Sequence, residues 1–556
     1  MTHDRSRDRL GSLASRYDLA VVGAGIQGAA VAWEAASRGL RVVLVEAGDF
    51  GSGTSANSLK TIHGGVRCLQ RLDFSAMREY ARERRALLRI VPHLVAPLPC
   101  MIPTHRQLSK SKLFLGAGML VYDFASRDRN FGIDPARRIS RCGILSLAEW
   151  RELAPTLSDA SINGGVRWYD AQVYNSERLV LAFVISARNA GADTLNYTAK
   201  TEYVIEQGRV RGLVVRDRAS GQTREIGADC VVDCTGPWAV RDGLFRSSVG
   251  ESGPRVLARG INLVTPRKLT DCALGARPLT GLDDSRRLLF IAPWREGTIV
   301  GTWYYSEPAE PGSLTLTEPE LADCLRQVNS ISPSFELRRE DISLIHRGLL
   351  PANPPAPGGV EPRLWEHAQI LDAESGAPEG LYWLQGVKLT NARAAAVQAV
   401  DRAARGLGKA VGASKTDRTP LYGGAIENYR LFEQDWRKRL GGRWPDETID
   451  RLLRNYGSCL ESILALIDGD AALGEPVPKS PNSLRAEIQF ALDREMPVSL
   501  SDLILRRTDL GTLACPDRAT IDYCADVMAR HMGWDSSEKT SNISELLDCY
   551  TRSIEA

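Results

Sequence analysis

Charge bias is nearly absent from this chain of 556 residues: 70 lysines and arginines stand against 68 aspartates and glutamates, a formal net charge of +2. It also lacks a basic stripe with interleaved aromatics, so nucleic acid is not expected among its partners. Long apolar runs are missing too. The longest, residues 113–125, falls short of the ~20 residues that a helix needs to span a bilayer. Residues 1–17 are polar and charged, which argues against a secretory signal and reads as a disordered tail. The eleven cysteines form no CxxC pair and no small-domain framework. That excludes a zinc ribbon or disulfide scaffold and suits reduced thiols in the cytoplasm. The seven histidines never fall at metal-ligand spacing, so no metal is expected. Internal repeats and low-complexity tracts are also lacking.

What is present begins at Asp18. An apolar strand from Leu19 to Val22 runs into Gly23-Ala24-Gly25-Ile26-Gln27-Gly28, a helical stretch continues to about Arg38, and a second apolar strand ends at Glu46. Gly23 permits the tight turn, Gly25 lets backbone approach a pyrophosphate, and Gly28 lets the helix pack closely on the strand. The helix N-terminus then offers free N–H groups to phosphates. Glu46, followed by Ala47, is placed to accept a hydrogen bond from a ribose hydroxyl. A lone GxGxxG would say little, but strand, glycines, helix, strand and acid in this order predict a bound dinucleotide.

The length suits two or three domains with ample core. Helical spacing recurs at residues 176–190, and strands are expected at 203–206, 209–216, 224–229, 231–233, 288–292, 298–303 and 381–384. Residues 351–362 form a Pro/Gly-rich loop, and Gly386 is expected to open a long helix through Arg405. After about residue 420 the apolar spacing is mostly helical. The fold class is therefore α/β plus α. Residues 18–96, 171–245 and 345–410 make a Rossmann-like nucleotide-binding domain, residues 97–170 and 246–344 an inserted β-rich cap, and residues 411–556 a helical C-terminal domain.

Several further stretches carry a resemblance. Thr54-Ser55-Ala56-Asn57-Ser58-Leu59-Lys60-Thr61-Ile62-His63-Gly64-Gly65-Val66-Arg67 is the most specific. With it go Cys234-Thr235-Gly236-Pro237-Trp238, Pro293-Trp294, Gly301-Thr302 and Gly386-Val387-Lys388-Leu389-Thr390. The C-terminal part adds Glu487-Ile488, Glu495-Met496 and Arg506-Arg507-Thr508-Asp509-Leu510-Gly511. Over nearly its whole length the chain resembles the FAD-dependent glycerol-3-phosphate dehydrogenases, within the D-amino-acid-oxidase-like flavoproteins.

The resemblance implies FAD as cofactor and hydride transfer to flavin N5 from a C–H bond beside a hydroxyl or amine. It implies FAD contacts at Gly23, Gly25, Ile26, Gln27, Gly28, Glu46, Ala47, Thr54, Ser55 and Ser58. Further contacts are implied at His63, Gly64, Gly65, Thr235, Gly236, Trp238, Gly386, Lys388, Leu389 and Thr390. The hydroxyls of Thr54, Ser55 and Ser58 suit phosphates or the polar edge of a flat ring, and the plain alternative is an ordinary Ser/Gly connection. Arg67 is expected at the substrate anion, because guanidinium binds carboxylate or phosphate bidentately. His63 is a candidate general base, although a lone histidine is more often structural. Lys388, in the first turn of the Gly386 helix, would stabilise charge on the flavin. The alternative is a solvated helix lysine.

Departures from the family gather in the expected substrate pocket. Gly348-Leu349-Leu350-Pro351 stands where relatives carry Gly-x-Arg-Pro, Glu366 falls at or near a second arginine, and Cys68 replaces a tyrosine. Arg259-Gly260-Ile261-Asn262 replaces Lys-Gly-Ser-His, and Gly301-Thr302-Trp303-Tyr304 replaces Gly-Thr-Thr-Asp. Arg67, Arg259 and Lys388 could still hold one anionic group. Three functions remain open: a glycerol-3-phosphate dehydrogenase relative, an oxidase or dehydrogenase of an amino acid, amine or hydroxy acid, and a flavin-binding subunit without catalysis. Partners implied are a small-molecule substrate and an electron acceptor, quinone or O2. Quinone-linked relatives sit on the membrane surface. Lys110-Ser111-Lys112 before the apolar 113–121 run reads either as a peripheral contact on the inner face of the membrane or as a core helix with a solvated start. Oligomeric state is left open.

Overall fold

The computed structural model describes residues 9–107, 110–157, 159–278, 288–308, 314–551 and 554–555. Strand β1 (Arg16–Val22) is apolar and buried on both faces, the signature of a strand inside a parallel sheet. It pairs in parallel with β2 (Val42–Val45) on one side and with Thr223–Asp233 on the other. Leu381–Gln385 continues the parallel order, with Gln369–Leu371 and Asp193–Leu195 at the edges. Helix α1 (Ile26–Ser37) is buried along nearly its whole length. Its alanines meet Ala395, Ala396, Ala399 and Ala403 of the Ala392–Gly406 helix, and its Trp33 packs on Phe183. Small side chains on both helices are what permit so close a sandwich.

The expected meander is present as Thr198–Glu206, Arg209–Asp217 and Thr223–Asp233, the two short strands read at 224–233 being one. The tail reading needs correction. Residues 1–8 lie outside the described residues, but Leu10 and Leu13 are buried and Arg224 donates to both of their carbonyls. Both leucines, three apart among charged neighbours, join the apolar cluster that holds Val210, Leu213 and Ile226.

A second, ten-stranded sheet is mostly antiparallel. Its order runs from Arg363–Leu364 through Leu344–Asn353, Val256–Thr265, Gly297–Glu307, Leu289–Trp294, Ala273–Ala276, Val95–His105 and Ile162–Val173 to Thr61–Ile62. The domain limits read from sequence remain a proposal; the strand Leu344–Asn353, placed there with the nucleotide-binding unit, pairs with Val256–Thr265 in this second sheet. The C-terminal region is helical and docks through buried ion pairs. Arg178 meets Glu495 at 2.8 Å, and Arg507 meets Asp49 at 2.7 Å. Asp49 lies three residues after Glu46, so the C-terminal arginine braces the segment that leaves β2.

Candidate functional site

A cavity of about 1430 Å³ opens where the parallel strands of the first sheet end and the second sheet faces them. In open α/β sheets this carboxyl-end crevice is where ligands lodge. Gly23 turns with φ +89°, and a Cβ on Gly28 would lie 1.8 Å from the Gly23 carbonyl oxygen. Gly28 therefore packs helix on strand and does not line the cavity, whereas Gly23, Gly25, Ile26 and Gln27 do. The Ile26 N–H donates to Ser55 Oγ at 2.9 Å. Glu46 accepts from the backbone of Ala24 (2.6 Å) and Gly48 (2.9 Å), and burial raises its carboxyl above the ordinary range. Ala47, Thr54, Ser58, Thr235, Gly236 and Trp238 line the same cavity, Trp238 lying against Gly53. Thr54 also joins the two sheets: its hydroxyl donates to the Leu349 carbonyl and accepts from the Leu349 N–H.

These features suit a dinucleotide with a flat ring. The volume exceeds that of an ordinary small-ligand pocket. Gly386 approaches so closely that a Cβ would lie 2.1 Å from Gln27 Nε2, and the buried Gln27 Oε1 has no partner within the protein.

Three expectations are corrected here. Gly386 opens no helix: residues 386–391 form a loop, and the helix begins at Ala392. The loop side chains are engaged elsewhere, Thr390 Oγ1 accepting the His63 N–H at 2.9 Å and the Asn391 amide donating to Glu79 at 3.0 Å. Lys388 consequently lies before the helix, not in its first turn. Gly64 and Thr390 shape the site without lining it; a Cβ on Gly64 would fall 2.0 Å from Arg84 Nη1. Arg259 faces away. Gly260 and Asn262 line the cavity, and strand alternation sends their neighbour to the other face. There Arg259 is held by Glu307 and Glu320, both at 2.6 Å, and by the Thr315 carbonyl.

The structure does bring His63, Gly65, Arg67, Lys388 and Leu389 together on the cavity. Arg67 lies 5.2 Å from the Phe290 ring and donates to the Leu288 carbonyl. Lys388 Nζ donates to Tyr80 OH at 3.0 Å, and Tyr80 in turn donates to the Glu366 carbonyl. Burial lowers the Lys388 pKa, and the nearby Arg67 and Arg71 push the same way. The substituted positions face this space as well: Leu350 and Glu366 line the cavity, and Glu366 pairs with Arg71.

His63 Nδ1 lies 3.2 Å from Asp170 Oδ2. Burial alone would raise the Asp170 carboxyl, but bonds from His63 and the Gly64 N–H, with Arg84 nearby, hold it below the usual range. An ionised carboxylate only accepts, so Nδ1 carries a proton, which in the neutral imidazole makes Nε2 the acceptor. Asp170 and Tyr80 were missed at the sequence level. Asp170 carried only a weak signal, an acid between Tyr169 and Ala171 in a strand that also holds Asn163, Arg167 and Gln172, whereas Tyr80 sits on helix α2 (Phe74–Ile90) at a spacing that says only "buried face".

The chain matches the family model described as FAD dependent oxidoreductase over residues 18–402, and the C-terminal domain of alpha-glycerophosphate oxidase over residues 414–539. A glycerol-3-phosphate dehydrogenase of Synechocystis sp. is 29% identical over 543 residues, covering 95% of each chain. Glycerol-3-phosphate dehydrogenase 2 of Mycobacterium tuberculosis is 30% identical over 537 residues, covering 95% of this chain and 87% of its own. Among solved structures, the glycerol-3-phosphate dehydrogenase of Bacillus halodurans complexed with FAD superposes with a TM-score of 0.74 at 23% identity. That match covers 97% of this chain and 96% of the other.

Proposed function

The chain belongs to the FAD-dependent oxidoreductase family, and from that premise we propose that it oxidises the C–H bond beside a hydroxyl or amine of a small anion held by Arg67 and Lys388, glycerol 3-phosphate being a poor member of that class. Its cofactor is FAD, and its nearest character within the family is glycerol-3-phosphate-dehydrogenase-like. The residues that would hold FAD are Glu46, the Gly23–Gly25 turn, Ser55, Ser58 and the loop from Gly386 to Leu389. When bound, FAD supplies the two-electron acceptor for the departing hydride.

The observation that supports the substrate reading is the balance of charge around Lys388. Among the described residues lining the cavity, Arg67 and Lys388 show no ion pair, as do the exposed Arg277 and Arg363, whereas Arg71 is neutralised by Glu366. A carboxylate's single charge is met by the Arg67 fork, with the Lys388 ammonium beside it to offset charge that develops on the flavin. A phosphate dianion would lose the bonds of an arginine at Leu350, and Arg71, paired with Glu366, is not free to replace them. Arg67 would bind and orient the anion, its plane set by Phe290. Lys388, fixed by Tyr80, would hold positive charge at the reacting centre. His63, oriented by Asp170, would take the hydroxyl or ammonium proton at Nε2 as the C–H bond breaks. Anaerobic mixing with a panel of 2-hydroxy acids, amino acids and glycerol 3-phosphate tests this. Bleaching of the flavin by a carboxylate substrate, faster than by glycerol 3-phosphate, is expected. Rapid bleaching by glycerol 3-phosphate would overturn the substrate assignment, and no bleaching by any compound would point to a subunit without catalysis.

The electron acceptor is tied to α3 (Lys112–Ala125). Among the described residues, no helix is long and apolar enough to cross a membrane. Yet α3 buries Gly116, Met119 and Tyr122 while presenting Leu113, Phe114, Leu120, Val121 and Phe124 to solvent, Leu113 at 82% exposure. Monomeric surfaces rarely carry so contiguous an apolar stripe, and an interfacial helix is its natural use. The core-helix reading of this segment covers only one of its faces. We therefore assign α3 to peripheral membrane contact and quinone as the acceptor. Flotation with lipid vesicles should be lost in Leu120→Glu/Phe124→Glu; a variant that floats like the parent would exclude α3.

A further inference from the structure

Outside the main cavity, a second cleft of about 820 Å³ lies between α2 and the Ala392–Gly406 helix. Six arginines line it (Arg78, Arg82, Arg85, Arg89, Arg393 and Arg418) against three carboxylates, Glu79, Glu83 and Asp417. We propose that this cleft is a binding site for a phosphate-bearing polyanion, distinct from the substrate site.

The argument starts from α2 itself. Arg78, Arg82, Arg85 and Arg89 recur at intervals of four, three and four, which puts all of them on one helix face. Like charges at such spacing repel one another, so the face is unfavourable unless negative charge meets it. The protein meets it in part. Asp128, just beyond the lining, takes Arg78 at 2.8 Å and Arg85 at 2.7 Å, and Glu83 takes Arg393 through both of its oxygens. Glu79 is occupied by the Asn391 amide. Among the described residues, Arg82 and Arg89 make no ion pair, and Arg418 reaches only its own neighbour Asp417 at 3.9 Å. Three guanidinium groups thus flank a cleft far larger than a single halide needs. Their planar forks match phosphate oxygens bidentately, which favours a ligand with several phosphate groups over a carboxylate.

The cleft shares α2 with the main cavity: Tyr80, beside Glu79, holds Lys388 on the other side. Its ligand could come from solution or from a lipid headgroup, and the chemistry is the same.

The test uses purified holoenzyme, so that FAD already fills the pyrophosphate cradle. Tripolyphosphate is titrated calorimetrically, and vesicles of phosphatidylglycerol or phosphatidylcholine are tested by co-sedimentation. Binding of tripolyphosphate, of phosphatidylglycerol vesicles only, or of both supports the site, provided that Arg82→Glu/Arg89→Glu/Arg418→Glu weakens it at least tenfold and Arg67→Ala does not. These substitutions are on exposed side chains and leave the substrate residues untouched, so failure here is distinguishable from failure of the substrate reading. Absence of binding in both arms, or equal affinity in the triple variant, would overturn the proposal.

Discussion

Replacing Asp170 by asparagine asks whether His63 and Asp170 work as one unit. The carboxylate accepts from the His63 ring at 3.2 Å and from the Gly64 N–H at 2.8 Å, with the buried Arg84 guanidinium 3.4 Å away. Asparagine keeps the volume and removes the charge. A hydrogen bond to a charged group contributes about 1.5–3 kcal/mol. If that support is lost as the imidazole takes up a proton, flavin reduction at saturating substrate should slow by roughly 10- to 150-fold. Arg84 complicates the reading, because it loses part of its counterion, and an uncompensated buried charge can cost about 3–5 kcal/mol of stability. Rapid-mixing kinetics on His63→Ala, Asp170→Asn and the double variant separate the two effects. If Asp170 acts through His63, the double variant is no slower than His63→Ala alone. Rate losses that multiply would refute the pairing and leave Asp170 as a partner of Arg84 only.

Other consequences follow from the same geometry. The purified protein should be yellow, with FAD released by acid precipitation, and Gly25→Leu should yield apoprotein because Ser55 Oγ would already lie 3.3 Å from a Cβ there; flavin left on the polypeptide would contradict non-covalent binding. His93 and His346 are both pushed down to about 3, chiefly by burial. Each therefore contributes stability that is present above the usual 6.5 and is lost as pH falls toward 3, about 2 kcal/mol apiece at pH 5. Denaturant melts of His346→Gln should show a flatter decline between pH 6.5 and 4 than the parent, and an unchanged slope would count against a neutral buried imidazole. Arg507→Met removes one of the two arginines from the fully buried Asp49, leaving Arg506 and the Asn196 amide. It should cost about 3–5 kcal/mol and loosen FAD retention, whereas a wild-type melting temperature would mean that the C-terminal brace is dispensable.

The nucleotide-binding half was legible because its signals are local. Leu19 to Glu46 carries strand, turn, helix and strand within one stretch, and each glycine has a steric duty visible in the chain itself. The Thr54–Arg67 run likewise placed His63 and Arg67 on the cavity. What failed depended on partners far away in sequence. Arg259 looked like an anion ligand until Glu307 and Glu320 proved to occupy it, and strand parity at Gly260 was the only local warning. Lys388 was assigned to a helix turn because Gly386 follows a strand. Tertiary bonds from His63 to Thr390 and from Asn391 to Glu79 instead hold residues 386–391 as a loop. Leu10 and Leu13 were lost among charged neighbours, and the apolar face of α3 cannot be told from a core face until its neighbours are placed. Tyr80 reaches Lys388 across 308 residues, a contact that periodicity cannot reveal.

Rapid mixing of wild type and Arg67→Ala with the fastest-bleaching anion, yielding both Kd and the limiting rate of flavin reduction, tests the central claim most directly. Loss of one charge-assisted contact of about 2–3 kcal/mol should raise Kd by roughly 30- to 150-fold. FAD content should be unchanged, and the limiting rate should fall far less than the affinity. An unchanged Kd, or glycerol 3-phosphate emerging as the tightest and fastest ligand of the wild type, would contradict the account.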